Sequence, residues 1–250
     1  MSPYKLRKSK ELKDEFTNLM TTHINFVDSM DEVSAESVRL FHRKKSAVKQ
    51  VQDYILHATH ALKTDNRLYR VAYAKDLHKI SGTHGDPRQT NDPTIVNMMN
   101  RKVREPPELL FYKGALFEAT TNTYQYQNSQ VLMMLDVPDE RHIRQQKPLV
   151  MYAAPENAKV SQALYTFEEP PHEDKLLEDG WKRVKVIVSR GRFVTEANIT
   201  ASRSQYGLRH LGASTVHRTQ GKTLFVPSAI EVSFVMRNPK SQQMDGVFLY

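Results

Sequence analysis

Apolar residues Leu12, Phe16, Leu19, Met20, Val27 and Met30 recur at helical spacing with polar residues between them. That period predicts one amphipathic helix, or two short ones, over Leu12 to Met30. Ser34 and Ser37 interrupt the pattern, and Ser37-Val38-Arg39-Leu40-Phe41 reads as a short strand. From about Ser46 a new stripe of Val48, Val51, Ile55, Ala58 and Leu62 predicts a second helix, with Lys49, Gln52 and Asp53 facing away. Leu68 to Tyr73 then alternates as a strand does and runs into Ala74-Lys75-Asp76.

Residues Ser81 to Pro93, SGTHGDPRQTNDP, are turn formers throughout and predict a loop. From Pro106 the pattern changes to short apolar runs: Leu109 to Phe117, Val131 to Leu135, Leu149 to Ala153, Ala163 to Phe167 and Arg183 to Val188. Strands at this spacing, divided by Pro, Gly and Asn, predict a small antiparallel barrel. Ser189-Arg190-Gly191 reads as a turn, Phe193 to Ile199 as a further strand, and Phe225-Val226, Ile230 to Phe234 and Gly246 to Tyr250 as later ones. Leu132 to Asp136, with Asp139 and Glu140 nearby, is read as a barrel strand ending at an exposed acid. Tyr124, Tyr126, Tyr152, Tyr165 and the single Trp181 are either base-stacking groups or the core and rim of that barrel.

The length of 250 residues allows one large domain or two modest ones. Lys and Arg number 36 against 28 Asp and Glu, a formal charge of +8 that favours a polyanionic partner. There are no cysteines, which excludes disulfides and thiolate zinc sites. His57 and His60 lie one helical turn apart, and a solvated helix face accounts for them without a metal. No apolar run has the length of a membrane span, and the N-terminus lacks the apolar core of a secretory signal.

The chemistry concentrates in Tyr206 to Leu224. Leu211, Gly212 and Ala213 deliver the chain to a polar turn, Thr215-Val216-His217-Arg218-Thr219-Gln220-Gly221-Lys222-Thr223. Hydroxyls, an imidazole, a guanidinium, an ammonium and a glycine make this an anion-handling loop. It is not a P-loop: GxxxxGK[ST] needs a glycine where Val216 stands.

The run Ser214 to Leu224 resembles a motif of superfamily 1 DNA helicases of the Pif and RecD type, Thr-Val-His-Lys-[Ser/Ala]-Gln-Gly-x-Thr-Leu, with Arg218 in place of the lysine. Leu40, Phe41 and Val48 are similar to an earlier segment of that family, with Gln52 standing where it has asparagine. Lys113, Gly114, Asn122 and Asn128 resemble the run that opens its inserted barrel, where Ser129 replaces a glycine. The family's last strand, Tyr-Val-Ala-Leu-Ser-Arg, carries an arginine that this chain, ending at Tyr250, does not supply.

The resemblance implies an α/β fold: a RecA-like helicase C-terminal domain from 36–105 and 200–250, an inserted antiparallel β barrel from 106–199, and a helical segment from 1–35. It implies that Thr215 and His217 contact single-stranded DNA and that Gln220 and Gly221 couple that contact to the nucleotide cleft; Arg218 and Lys222 are phosphate partners on charge alone, and Lys44 is assigned to the nucleotide cleft as a phosphate contact. Lys44 belongs to the basic turn His42-Arg43-Lys44-Lys45, whose other reading is a solvated loop. In the intact family ATP and Mg drive the motor. With no Walker A, Walker B or arginine finger, this chain is expected to need a separate P-loop half and not to hydrolyse ATP alone. A non-catalytic nucleic-acid-binding or scaffold protein of helicase descent is the alternative, and an unrelated α/β and β protein a third. An intracellular setting, the nucleus included, suits either of the first two, and no membrane is implied.

Overall fold

The computed structural model describes residues 25–27, 33, 37–41, 43–80, 84–156, 158, 160, 169–219, 228–234 and 244–249. Asn25–Val27 is a strand, β1, whereas the sequence predicted a helix there; the rest of that helix lies outside the described residues. Its ladder partner is a strand more than two hundred residues later, and cross-strand pairing of that kind leaves no trace in local periodicity. Val38–Phe41 forms β2 as predicted, every residue buried. Helix α1, Lys44–Thr64, follows. Ile55, Ala58 and Leu62 of the predicted stripe are buried together with Ala47 and Tyr54, while Val48 and Val51 are half-buried.

Tyr69–Tyr73 (β3) and Lys75–Ile80 (β4) are joined at Ala74, whose N–H donates to the Pro107 carbonyl at 2.8 Å. The predicted loop contains a two-residue strand, β5 (Arg88–Gln89), and ends in a helix the sequence reading missed, α2 (Pro93–Lys102). Asp92 caps α2 by accepting from Thr94 N–H at 2.8 Å, and Pro93 occupies the first turn, where no amide is needed. The run Leu109 to Phe117 is two strands, β6 (Glu108–Tyr112) and β7 (Leu116–Ala119), because Gly114 turns the chain at φ +87°. Next come β8 (Val131–Met133), the short helix α3 (Glu140–Arg144), β9 (Leu149–Ala153) and α4 (Glu173–Glu178). The predicted strand over Ala163 to Phe167 lies outside the described residues.

Lys182–Val186 (β10) and Val188–Val194 (β11) are consecutive strands meeting at Ile187. The turn expected at Ser189 to Gly191 is instead extended strand. Gly191 is there because α2's exit packs against it: a Cβ would lie 2.6 Å from Val103 Cβ and closer still to the Glu105 carboxylate. The turn falls at Thr195 to Asn198, with Asn198 at φ +55° and Thr195 N–H donating to the Ile199 carbonyl at 2.9 Å. Beyond it run β12 (Ile199–Tyr206), β13 (Leu208–His210), β14 (Ala213–Thr215), the single-turn helix α5 (Val216–Thr219), β15 (Ser228–Phe234) and β16 (Met244–Leu249).

These strands form antiparallel sheets ordered β10-β9-β8-β7-β13, β11-β12-β4-β5 and β3-β6, and a mixed sheet ordered β1-β16-β15-β2-β14. In the mixed sheet β2 runs parallel to both neighbours, β14 and β15, while β16 is antiparallel to β15 and β1. The antiparallel character predicted after Pro106 is present, and β3 and β4 pair into these same sheets. Consecutive strands carry the chain between sheets at Ala74, Ile187 and Gly207. Phe111 packs edge-on against Phe117 and Tyr206, with centroids 5.6 and 5.8 Å apart. One hydrophobic cluster runs from these rings to Tyr54, Ile55 and Leu62 of α1, so the parallel strands and the antiparallel sheets share a core. No helix among the described residues is long and apolar enough to cross a membrane.

Candidate nucleic-acid interface

Gly212, at φ +82°, turns the chain out of β13 and into β14, and its carbonyl accepts from Arg39 N–H of β2 at 2.7 Å. The polar loop therefore begins at the C-terminal end of a parallel strand, where α/β sheets present ligands sites. Thr215 ends β14 and is half-buried; its carbonyl accepts from Thr219 Oγ1 at 3.5 Å. His217 lies in α5, and Gln220, Gly221 and Lys222 lie outside the described residues.

Beside β14 opens a cavity of about 350 Å³ between α1, α5 and the segment leaving α2. Thr215, Arg218 and Lys44 all line it, so groups singled out in two distant stretches of the sequence share one cleft. Arg218 Nε and Ser214 Oγ are buried there without a hydrogen-bond partner among the described residues. Lys44 is held at the C-terminal end of α2: its ammonium donates to the Val103 carbonyl and to the Arg101 carbonyl at 3.4 Å. Burial lowers the Lys44 pKa, Arg203 lowers it further, and Glu105 partly offsets both.

Arg101, Lys102 and Arg104, a basic run at the end of α2, line this cleft together with Arg209; none was singled out from the sequence, although three cations in four residues were a signal for the run. Arg209 is ion-paired with Glu118, Nε donating to Oε2 at 3.0 Å. The acidic residues of the lining are Glu105 and Glu108, so the cleft is basic on balance. Burial raises the Glu108 carboxyl pKa, and a hydrogen bond from Gln52 partly opposes that rise. His210 forms the wall, its Nε2 accepting from Leu110 N–H at 2.9 Å. Complete burial drives its pKa down to about 3, so it is a neutral structural group and no phosphate partner.

The aromatic candidates divide sharply. Tyr126, Tyr152 and Trp181 are buried, Tyr165 lies outside the described residues, and Tyr124 is 95% exposed. Asp136 is exposed beyond the end of β8, and Asp139 caps α3 by accepting from His142 N–H at 2.6 Å. His57 and His60 lie on the exposed face of α1.

No family model matches the sequence, and no curated protein does. Among solved structures the chain is similar to the Pif1 helicase from Candida albicans, at 15% identity and a TM-score of 0.43 over 76% of this chain and 38% of that one. It is similar also to unliganded Pif1 from Bacteroides sp, at 14% identity and 0.35, covering 80% and 48%. Pif1 from Bacteroides in complex with ADP-AlF3 and ssDNA matches at 13% and 0.33, covering 79% and 34%. The chain thus spans less than half the length of each of these proteins.

Proposed function

We propose that this chain is the second-motor-domain portion of a DNA helicase of the Pif and RecD type, and that its basic cleft takes the backbone of single-stranded DNA. The observation that carries the reading is the cleft at the end of β14, where the helicase-like loop begins and Arg218 meets Thr215 and Lys44. An unpartnered, buried guanidinium nitrogen is costly unless a ligand satisfies it, and a phosphate oxygen does so. On this reading Thr215, His217, Arg218 and Lys222 contact the strand, and Gln220 and Gly221 couple that contact to the nucleotide. Lys44 stands at the nucleotide side, anchored by α2.

The mixed sheet is the RecA-like unit, and the antiparallel strands are its barrel-like insertion. Sheet pairing favours boundaries near residues 65 and 211, which widens the insertion at both ends beyond the 106–199 expected from the sequence. The cleft offers donors suited to phosphate oxygens, and no group of three His, Asp or Glu converges among the described residues. On this reading ATP and Mg belong to the assembled motor with its P-loop half. A non-catalytic helicase-derived binder would use the same cleft and would gain no ATPase activity from such a half.

The test is single-stranded DNA binding by fluorescence anisotropy across a salt series. Arg218→Ala is expected to weaken binding and to flatten the slope of log K against log salt by about 0.7, the share of one phosphate contact. Equal binding by wild type, His217→Ala and Arg218→Ala at every salt concentration would refute the assignment.

A further inference from the structure

The cleft beside β14 is a slot whose two walls, the first turns of α1 and the segment leaving α2, are tied together at both ends. At one end Lys44 donates to the Val103 and Arg101 carbonyls; at the other the Gln52 amide donates to the Glu108 carboxylate. Lys44 and Gln52 stand eight residues apart on one side of α1, which makes the slot about 12 Å long. Between them α1 presents Ala47, Val48 and Val51, and the facing segment presents Pro106 and Pro107. Neither proline has an amide N–H, and the Pro107 carbonyl is taken by Ala74 N–H at 2.8 Å, so that wall is apolar as well.

Charge is divided between the ends. Arg101, Lys102 and Arg104 gather where α2 stops, and Glu108 stands at the far end beside Gln52. Glu105, the other acid of the lining, is turned out of the slot: its Oε1 accepts from Ser189 Oγ at 2.9 Å, and its Oε2 faces Gly191 of β11. Glu108 is therefore the carboxylate that a ligand in the slot meets. It is half-buried, and donors from a ligand would offset the desolvation that raises its pKa. A phosphate has no such donor to give and is repelled by the acid. Backbone contact alone thus accounts for Arg218 but leaves Glu108 and the apolar walls without a partner.

We propose that the slot takes one unstacked base, a guanine, flat between Val48, Val51 and the two prolines, with its pairing edge on Glu108. The proposal rests on the reading of the cleft as a single-strand site, in which Arg218 holds the phosphate, and gives that same site a base preference. A carboxylate presents two acceptor oxygens in one plane. Guanine is the DNA base with two adjacent donors on its pairing edge, the ring N1–H and the 2-amino group, and it matches that pair. The single ring N–H of thymine lies between two carbonyls that a carboxylate repels, and adenine and cytosine each set their amino group beside a ring-nitrogen acceptor.

The experiment is fluorescence anisotropy with labelled strands of equal length: oligothymidylate, the same strand with guanine at every third position, and that strand with inosine for guanine, which removes only the 2-amino group. Wild type should bind the guanine strand about tenfold more tightly than either of the others, the share of hydrogen bonds to a charged acceptor. Glu108→Gln, nearly isosteric, should bring the guanine-to-inosine ratio close to one. Gln52→Ala, at an exposed helix position, should lower the ratio too and tests the site independently of how the Glu108 variant folds. Arg218→Ala should weaken binding of every strand and leave the ratio intact. Equal affinity of wild type for the guanine and inosine strands, or a ratio that survives either substitution at the acid end, overturns the base site and leaves the phosphate contact standing. No binding of any strand by the wild type overturns both.

Discussion

Arg203 has no exposed surface, and a guanidinium in that position demands full pairing. Its Nε and Nη2 each donate to one oxygen of Asp76 at 2.7 Å, while Nη1 donates to Asn100 Oδ1 at 2.7 Å and toward the Glu105 carbonyl. The planar fork thereby joins β12, β4, α2 and the segment after α2. Asp76→Ala strands the buried charge and should cost about 3–5 kcal/mol, measured as a drop in the urea midpoint. Pairing Asp76→Leu with Arg203→Met should recover most of that loss. His210 obeys a different rule. Its folded pKa, about 3, lies below the ordinary value of about 6.5, so the unfolded chain binds the extra proton first. The stability of the neutral imidazole is complete above about pH 6.5 and falls as pH drops toward 3. Wild type should therefore lose about 2 kcal/mol more than His210→Gln between pH 6.5 and 5, read from denaturant titrations at both values.

Elements here are placed by their ends as much as by their faces. The apolar stripe of α1 orients the helix on the core, and Lys44 at its start binds the carbonyls that end α2. This contact ties two helices across the basic cleft, so the position of α2 helps to set the cleft width. Asp92 holds the other end of α2, and Asp92→Ala should cost about 1 kcal/mol of stability in a thermal melt by removing the cap. Leu62, 1% exposed on the same face of α1 as Ala58, should cost about 2–5 kcal/mol when cut to alanine, well above the loss at the cap. Ser129 shows how an element survives a residue that ill suits it: it adopts φ +72°, and its N–H donates to the Ala119 carbonyl at 2.8 Å. The glycine expected from the resemblance is absent, and the turn forms all the same.

Across the whole molecule, α1 and the antiparallel sheets share the main cluster, and smaller clusters around Met99 and around Trp181 flank it among the described residues. Unfolding should be one cooperative transition, so that Trp181 fluorescence and far-UV circular dichroism trace the same urea curve. Two separated transitions would mean that the apolar contacts of Tyr54, Ile55 and Leu62 with the sheets contribute little. The net charge of +8 is likewise a property of the whole, and it acts locally where Lys44, Arg104, Arg209 and Arg218 converge. Binding at that place should therefore depend on salt more steeply than the one contact of Arg218 requires.

Local regularities were legible without coordinates: β2, the face of α1, β9, and the loop that starts at Thr215 each announce themselves within a window of a few residues. Period and turn chemistry act at short range, so one chain segment suffices to read them. β1, the strand through Gly191, and the Arg203 to Asp76 bridge were not legible, since each depends on a partner far along the chain. Only the tertiary structure could show that Tyr124 is exposed while Tyr126, two residues away, is core, because both are the same residue type in one polar turn. The sequence by itself determined the chemical types available to the loop and the strands that deliver it. Packing decided which cations share its cleft, because proximity between residues 44, 104 and 218 is created by burying the apolar faces of α1 and the sheets together.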